Sequence, residues 1–319
     1  MANISLSINP TYRCNFRCKF CYLTPAQLGS RQLLDLALLT TRLEELATNN
    51  YTISSVDLYG GEVELLPATY YNDLIHIIRQ RYDGNINVVT NLYMQAPHII
   101  HHNMSLSVSY DFGCRDHSDV VYNNILTSPY DIHVLMLASE CLIRQNVKDM
   151  ISVLNAASNI KTVEIKPYSA NQSNCQPVTY HQYEEFVQQW IESTDKRFAL
   201  INEHRIIEVL TGRRNAFSDD HLYITPSGQF AVLDFDLNDR EYFKPISHLG
   251  EYLDWAAREK SRVQTNKFCG SCKYLGTCLT EHYRGVTDIR QSCNGFKHLL
   301  EWYDERMENT PAGLSPITP

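Results

Sequence analysis

The chain has no run of roughly 18 uncharged apolar residues, the length a spanning helix needs, so its sequence offers no membrane helix. Its start, MANISLSINPTYRC, has neither the basic residues nor the continuous apolar stretch of a secretory signal. Basic side chains are in the minority, 28 Lys and Arg against 36 Asp and Glu, for a formal net charge of −8. The chain therefore lacks the basic face that nucleic acid or an anionic membrane would require. There is no internal repeat and no low-complexity block. A content of 44% hydrophobic and 20% charged residues excludes a disordered or collagen-like polymer. What is plentiful is cysteine, ten in 319 residues. The chain reads as cytoplasmic, where thiols stay reduced and clustered cysteines point to metal or catalysis more than to disulfides.

Strand and helix signals alternate along the first two thirds. Ile4, Leu6 and Ile8 alternate with Ser5, Ser7 and Asn9, a period of two that predicts a strand. Helical spacing follows over Leu33–Leu46, then a strand at Ser55–Tyr59, a helix at Tyr70–Arg81 and a strand at Ile86–Thr90. The alternation continues with Ser105–Ser109, His117–Leu126, Ile132–Leu137, Val147–Ala156, Val163–Ile165 and Tyr180–Ile191. Six such units predict an α/β fold, a partial (β/α)6 TIM-like barrel over residues 1–212. Residues 213–305 form a second, smaller unit: a β-hairpin turning at Pro226, Ser227 and Gly228, then two helical stretches with cysteines between them. Residues 306–319, Pro-rich and without apolar period, read as a disordered tail.

Cys14, Cys18 and Cys21 stand in CNFRCKFC directly after the first strand, a CxxxCxxC spacing. Three thiolates in one loop can hold three irons of a [4Fe-4S] cluster and leave the fourth open. A structural zinc site would recruit a fourth ligand, for which His101 or His102 are conceivable, and close.

A CxxxCxxC loop with an aromatic residue, Phe20, before its last cysteine, placed after strand 1 of a parallel barrel, resembles the defining motif of the radical S-adenosylmethionine (SAM) enzymes. The resemblance implies that SAM chelates the open iron. One electron then cleaves its sulfonium, and the resulting 5′-deoxyadenosyl radical abstracts a substrate hydrogen. It implies a role near the adenine for Phe20. Gly60, Gly61 and Glu62 resemble the GGE motif that binds the SAM ammonium. Thr90 and Asn91 resemble the TNG that ends strand 3, with Leu92 in place of the glycine, and Ser107, Ser109 and Asp111 resemble the SxD stretch near the ribose and carboxylate. Each of these is also an ordinary turn or strand-end residue, but all fall at the C-terminal strand ends, where barrel active sites lie. Arg115 is a candidate partner for a carboxylate of SAM or substrate, because its planar fork fits one.

Cys269, Cys272 and Cys278 form CGSCKYLGTC, and Cys293 follows after fourteen intervening residues. Spacing alone allows a zinc ribbon or a fully ligated four-iron cluster. The stretch resembles the SPASM extension of radical SAM enzymes, which implies one auxiliary [4Fe-4S] cluster used for electron transfer or scaffolding. The sequence departs from that pattern at Leu233 and His282, where a longer relative carries cysteine, so an inner auxiliary cluster is not expected. Asp234 falls where related sulfatase-maturing enzymes carry a base that deprotonates substrate, and is equally a solvated acid.

Cys114, Cys141 and Cys175 belong to no motif, and the default for each is a small buried side chain. Cys114 and Cys175 should lie near the barrel mouth, where the resemblance allows a thiol that returns hydrogen to a substrate radical. Lys166 and Tyr168 are candidate substrate contacts, and the twenty tyrosines imply aromatic walls on the open side. The expected reaction is maturation of a ribosomally made precursor peptide by crosslinking, oxidation or epimerisation, with a ferredoxin- or flavodoxin-type electron donor. Cys14 lies so near the start that a separate recognition protein or direct binding of the peptide is expected. The competing readings are a dehydrogenase or epimerase of a small sugar or antibiotic intermediate, and a zinc-binding interaction protein without SAM chemistry.

Overall fold

A computed structural model describes residues 2–95, 97–101, 103–167, 178–217, 219–233, 243–280, 293 and 295–309. In chain order these form β1 (Ala2–Ile8), α1 (Pro25–Leu28), α2 (Leu36–Thr48), β2 (Tyr51–Leu58), α3 (Ala68–Arg79), β3 (Ile86–Thr90), β4 (Met104–Ser109), α4 (Ser118–Thr127) and β5 (Ile132–Leu137). Then come α5 (Glu140–Ile143), α6 (Val147–Asn155), β6 (Ile160–Lys166), α7 (Tyr180–Glu192), β7 (Ala199–Leu200) and α8 (Ile201–Leu210). The last elements are β8 (His221–Ile224), β9 (Phe230–Leu233), β10 (Phe243–Ile246), α9 (Leu249–Thr265) and α10 (Lys297–Glu308).

All ten strands join one sheet in the order β10-β9-β8-β1-β2-β3-β4-β5-β6-β7. Strands β1 to β7 pair in parallel, and β8 pairs in parallel with the free edge of β1. The partial TIM-like barrel expected from the alternation is the fold observed. The expected six strands are extended by the two-residue β7 and by β8. The hairpin β8–β9 does not stand apart: the sheet runs unbroken across residue 212, and β10 adds one more antiparallel strand.

The longer helices each bury an apolar stripe, and several also carry a side-chain cap. Asp35 caps α2 by accepting from Ala37 N–H at 2.7 Å, and Leu39, Leu43 and Leu46 bury one face. Asn146 caps α6, and Thr179 with Gln182 makes a capping box on α7. These stripes pack against Ile4, Leu6, Ile8, Val56, Leu58, Ile86 and Val88 on one face of the sheet, which are at most 1% exposed. Alternate residues turn to the other face, which carries Ser7, Asp57, Asn87 and Ser107. Among the described residues no helix is long and apolar enough to cross a membrane.

Candidate active site at the strand ends

Cys14, Cys18 and Cys21 sit half-buried in the loop after β1. Cys14 N–H donates to Leu28 O and Cys21 N–H to Cys18 O, which folds the loop back on itself. Burial pushes the Cys14 thiol up to about 12 and the Cys18 thiol to about 11, and raises Cys21 as well. Each sulfur nonetheless has an N–H aimed at it: Phe16 N at 3.4 Å from Cys14 Sγ, Arg115 Nη1 at 3.6 Å from Cys18 Sγ, and Leu23 N–H at Cys21. Donors on sulfur favour the thiolate, the form that binds iron.

The Gly60–Gly61 loop after β2 lies backbone to backbone on this cysteine loop. Gly61 N–H donates to Thr11 O at 2.9 Å and Glu62 N–H to Arg13 O at 2.8 Å. A Cβ on Gly61 would stand 2.1 Å from Arg13 O, and one on Gly60, where φ is +145°, 2.4 Å from Thr11 O. Here the glycines are required by the protein's own backbone. Glu62 is 1% exposed and accepts from Thr90 Oγ1 (2.5 Å), Asn91 N–H (2.7 Å) and Glu64 N–H (3.0 Å). Burial, with Glu64 second, raises its carboxyl to about 7. Glu62, Thr90 and Asn91 are thus brought together, and Asn91 Nδ2 reaches on to Asn15 Oδ1 at 2.8 Å. Two buried polar atoms beside this junction lack a partner, Asn15 Nδ2 and Asn9 Oδ1.

Asp111 is fully buried and committed within the protein. Its Oδ1 accepts from Leu137 N–H at 2.5 Å, and its Oδ2 takes Arg115 Nε at 2.7 Å and Nη2 at 2.5 Å. Arg115 is therefore occupied by Asp111, Cys18 and the face of Phe20, whose ring centre lies 5.1 Å from the guanidinium carbon. This corrects the expectation that its fork awaits an external carboxylate. Ser107 donates to Asn87 Oδ1 at 2.7 Å, and Ser109 stands at the end of β4.

Cys114 carries a second correction. It is disulfide-bonded to Cys141, and an oxidised pair has no S–H hydrogen to return to a radical. The two lie 27 residues apart but follow the paired strands β4 and β5, whose ends are neighbours. Cys175, Asp234, Tyr168 and His282 lie outside the described residues. Lys166 ends β6 and pairs with Glu164 at 2.8 Å, while Arg205 reaches Glu164 at 2.6 Å.

Sequence reading missed the polar face of the sheet. Ser7 Oγ meets His221 Nε2 at 2.9 Å, Asn87 Nδ2 donates to Asp57 Oδ1 at 2.8 Å, and His133 Nδ1 meets Thr162 Oγ1 at 2.8 Å. Burial lowers the His221 pKa. A filled barrel carries Val, Ile and Leu on this face. The signal was present as Ser, Asp, Asn and His at every second strand position. Tyr12, Tyr22 and Tyr223 pack against Phe243 at 5.1–5.9 Å between ring centres, in an apolar cluster that Cys14 and Cys21 also join. Leu233 packs into the same apolar cluster, beside Cys14 and Cys21.

Burial raises the Cys269 and Cys278 thiols, and the neighbouring cysteines add to it: Cys293 and Cys272 act on Cys269, and Cys293, Cys269 and Cys272 act on Cys278, which reaches about 11. Thr280 N–H points at Cys278, and a Cβ on Gly295 would stand 3.0 Å from Cys278 Sγ and 3.6 Å from Cys293 Sγ. Among the described residues no three His, Cys, Asp or Glu side chains close around one point as a single metal ion demands. A four-iron cube spreads its sulfurs over separate corners.

Residues 8–107 match the Radical SAM superfamily. No curated protein matches the chain. The structure of anSMEcpe with bound AdoMet superposes with a TM-score of 0.68 at 13% identity, over 97% of this chain and 98% of that one. Native anSMEcpe with bound AdoMet and Cp18Cys peptide gives 0.68 at 14% identity, over 96% and 98%. SuiB of Streptococcus suis bound to precursor peptide SuiA gives 0.60 at 15%, over 92% and 74%. Likeness at these identities establishes the fold.

Proposed function

We propose that this chain is a radical SAM oxidoreductase that modifies a peptide. The observation that carries the reading is the loop of Cys14, Cys18 and Cys21 at the C-terminal edge of the parallel sheet, with one N–H donor on each sulfur. Hydrogen bonds to the sulfurs are among the features that tune iron–sulfur centres. Three cysteine ligands in one loop suit a four-iron cluster with an open corner. The orphaned Asn15 Nδ2 is a buried donor suited to an acceptor such as a carboxylate. Cluster and SAM, when bound, supply reductive cleavage of the sulfonium and abstraction of a hydrogen atom.

The chain's own residues hold and shield that chemistry. Glu62, Thr90 and Asn91 lock the strand-2 and strand-3 ends to the cysteine loop, and Gly60 and Gly61 let them close without a gap. The aromatic wall of Tyr12, Tyr22, Tyr223 and Phe243 excludes water from one side of the loop. Cys269, Cys272, Cys278 and Cys293 would hold one auxiliary four-iron cluster. Leu233, packed among aromatics, supplies no thiolate to an inner one.

A peptide substrate is supported by two considerations. The chain superposes on structures solved with peptides bound, and the polar inner face of the sheet offers hydrogen-bond partners to a backbone. Asp234 and Cys175 stay candidates for substrate deprotonation and hydrogen return. The experiment is anaerobic co-expression with candidate precursor peptides. A loss of about 2 Da marks crosslinking or oxidation, and solvent deuterium uptake at unchanged mass marks epimerisation. Turnover with a metabolite and with no peptide would assign a small-molecule enzyme instead.

A further inference from the structure

We propose that Arg115 is a positioning residue that sets how readily the cluster held by Cys14, Cys18 and Cys21 accepts an electron; this rests on the reading of that site given above. The guanidinium is held from three sides. Asp111, fully buried and itself anchored by Leu137 N–H at 2.5 Å, takes Nε and Nη2 at 2.7 and 2.5 Å. Phe20 presents its ring face at 5.1 Å. The remaining edge directs Nη1 at Cys18 Sγ, 3.6 Å away. A planar fork fixed in this way cannot swing out to solvent, and an arginine stays charged throughout the accessible pH range.

Its position differs from that of Arg17, a cation of the cysteine loop itself. Arg17 spends its Nη1 on the carbonyls of Cys14 and Phe16, both at 2.7 Å, and its charge, like that of Arg115, reaches Cys21. Arg115 places a full positive charge on a ligand sulfur and lies within electrostatic reach of Cys21 as well. Reduction adds one negative charge to a cluster already surrounded by thiolates. A fixed cation on a sulfur stabilises the reduced state selectively, since local charge and hydrogen bonds to sulfur set such potentials. Asp111 attenuates the effect because its own charge also reaches Cys18.

The test is an anaerobic redox titration of the iron-loaded protein, followed by electron paramagnetic resonance. The first cluster is identified as the signal that changes when SAM is added. Arg115→Gln should retain its iron and shift the reduction equilibrium at least tenfold toward the oxidised form, about 59 mV lower for one electron. Asp111→Asn keeps an acceptor for Leu137 N–H while withdrawing the countercharge, so its cluster should be easier to reduce than that of the parent. It decides the matter if Arg115→Gln fails to fold. Retained iron with unchanged potentials overturns the proposal alone. A parent protein whose iron does not depend on Cys14 overturns the site reading and the proposal with it.

Discussion

Gly61→Ala tests whether the strand-2 loop is locked onto the cysteine loop as described. The added Cβ would lie 2.1 Å from Arg13 O and 2.4 Å from Tyr12 O, where ordinary contact begins near 3.4 Å. Both obstacles are backbone, so the two loops must separate by about 1.3 Å, the difference between 3.4 and 2.1 Å. That opening stretches Gly61 N–H to Thr11 O and Glu62 N–H to Arg13 O, now 2.9 and 2.8 Å, beyond hydrogen-bond length. Overpacking of this kind costs about 1–3 kcal/mol and each lost hydrogen bond about 1 kcal/mol. A destabilisation of about 3–5 kcal/mol follows, a fall in Tm of roughly 6–20 °C. Gly113→Ala is the matched control, since a Cβ there meets nothing within 4 Å and should change stability by less than about 0.5 kcal/mol. Thermal and urea unfolding of the iron-free proteins, with iron retention measured in parallel, compares them. Equal stability of the two variants would refute the packing account of the GGE glycines.

Three further outcomes follow from the same geometry. Gly295→Ala sets a methyl 3.0 Å from Cys278 Sγ, so it should lower iron bound at the second cysteine group and leave the SAM-responsive signal of the first intact; metal analysis with spectroscopy checks this. Reducing the Cys114–Cys141 disulfide opens a closure of 27 residues and should cost about 3 kcal/mol, read as a lower urea midpoint together with two newly titratable thiols. His221 is half-buried with its pKa lowered by desolvation, so the unfolded chain binds its proton more readily and stability falls as pH drops through about 6.5. His221→Gln should flatten that part of the stability–pH curve, and an unchanged slope would count against a desolvated neutral His221.

How far residues alone reached is clearest at the strands. Ile86–Thr90 and Ile132–Leu137 lie where their apolar alternation places them, because helices cover one face and demand a period of two. Strand β10, Phe-Lys-Pro-Ile, escaped notice because a proline breaks the pattern and only an edge position tolerates it. The continuity of β8 with β1 could not be read from either segment, since parallel pairing across more than 200 residues leaves no local mark. The cysteine groups were legible because metal ligands repeat at short spacings. The Cys114–Cys141 link was not, because it depends on β4 and β5 being neighbours in space. Motif comparison found Asp111 and side-chain chemistry singled out Arg115, but neither showed their mutual commitment. That follows from a four-residue offset across the turn after β4, and from an N–H of Leu137 contributed by the next strand.

The central claim is tested most directly by incubating anaerobically purified protein with SAM and a one-electron reductant and measuring 5′-deoxyadenosine. The account predicts a brown protein absorbing near 400 nm, in the way of iron–sulfur proteins generally, that forms the product, with colour reduced and formation abolished in Cys14→Ala. A colourless, zinc-loaded protein that leaves SAM intact would contradict it.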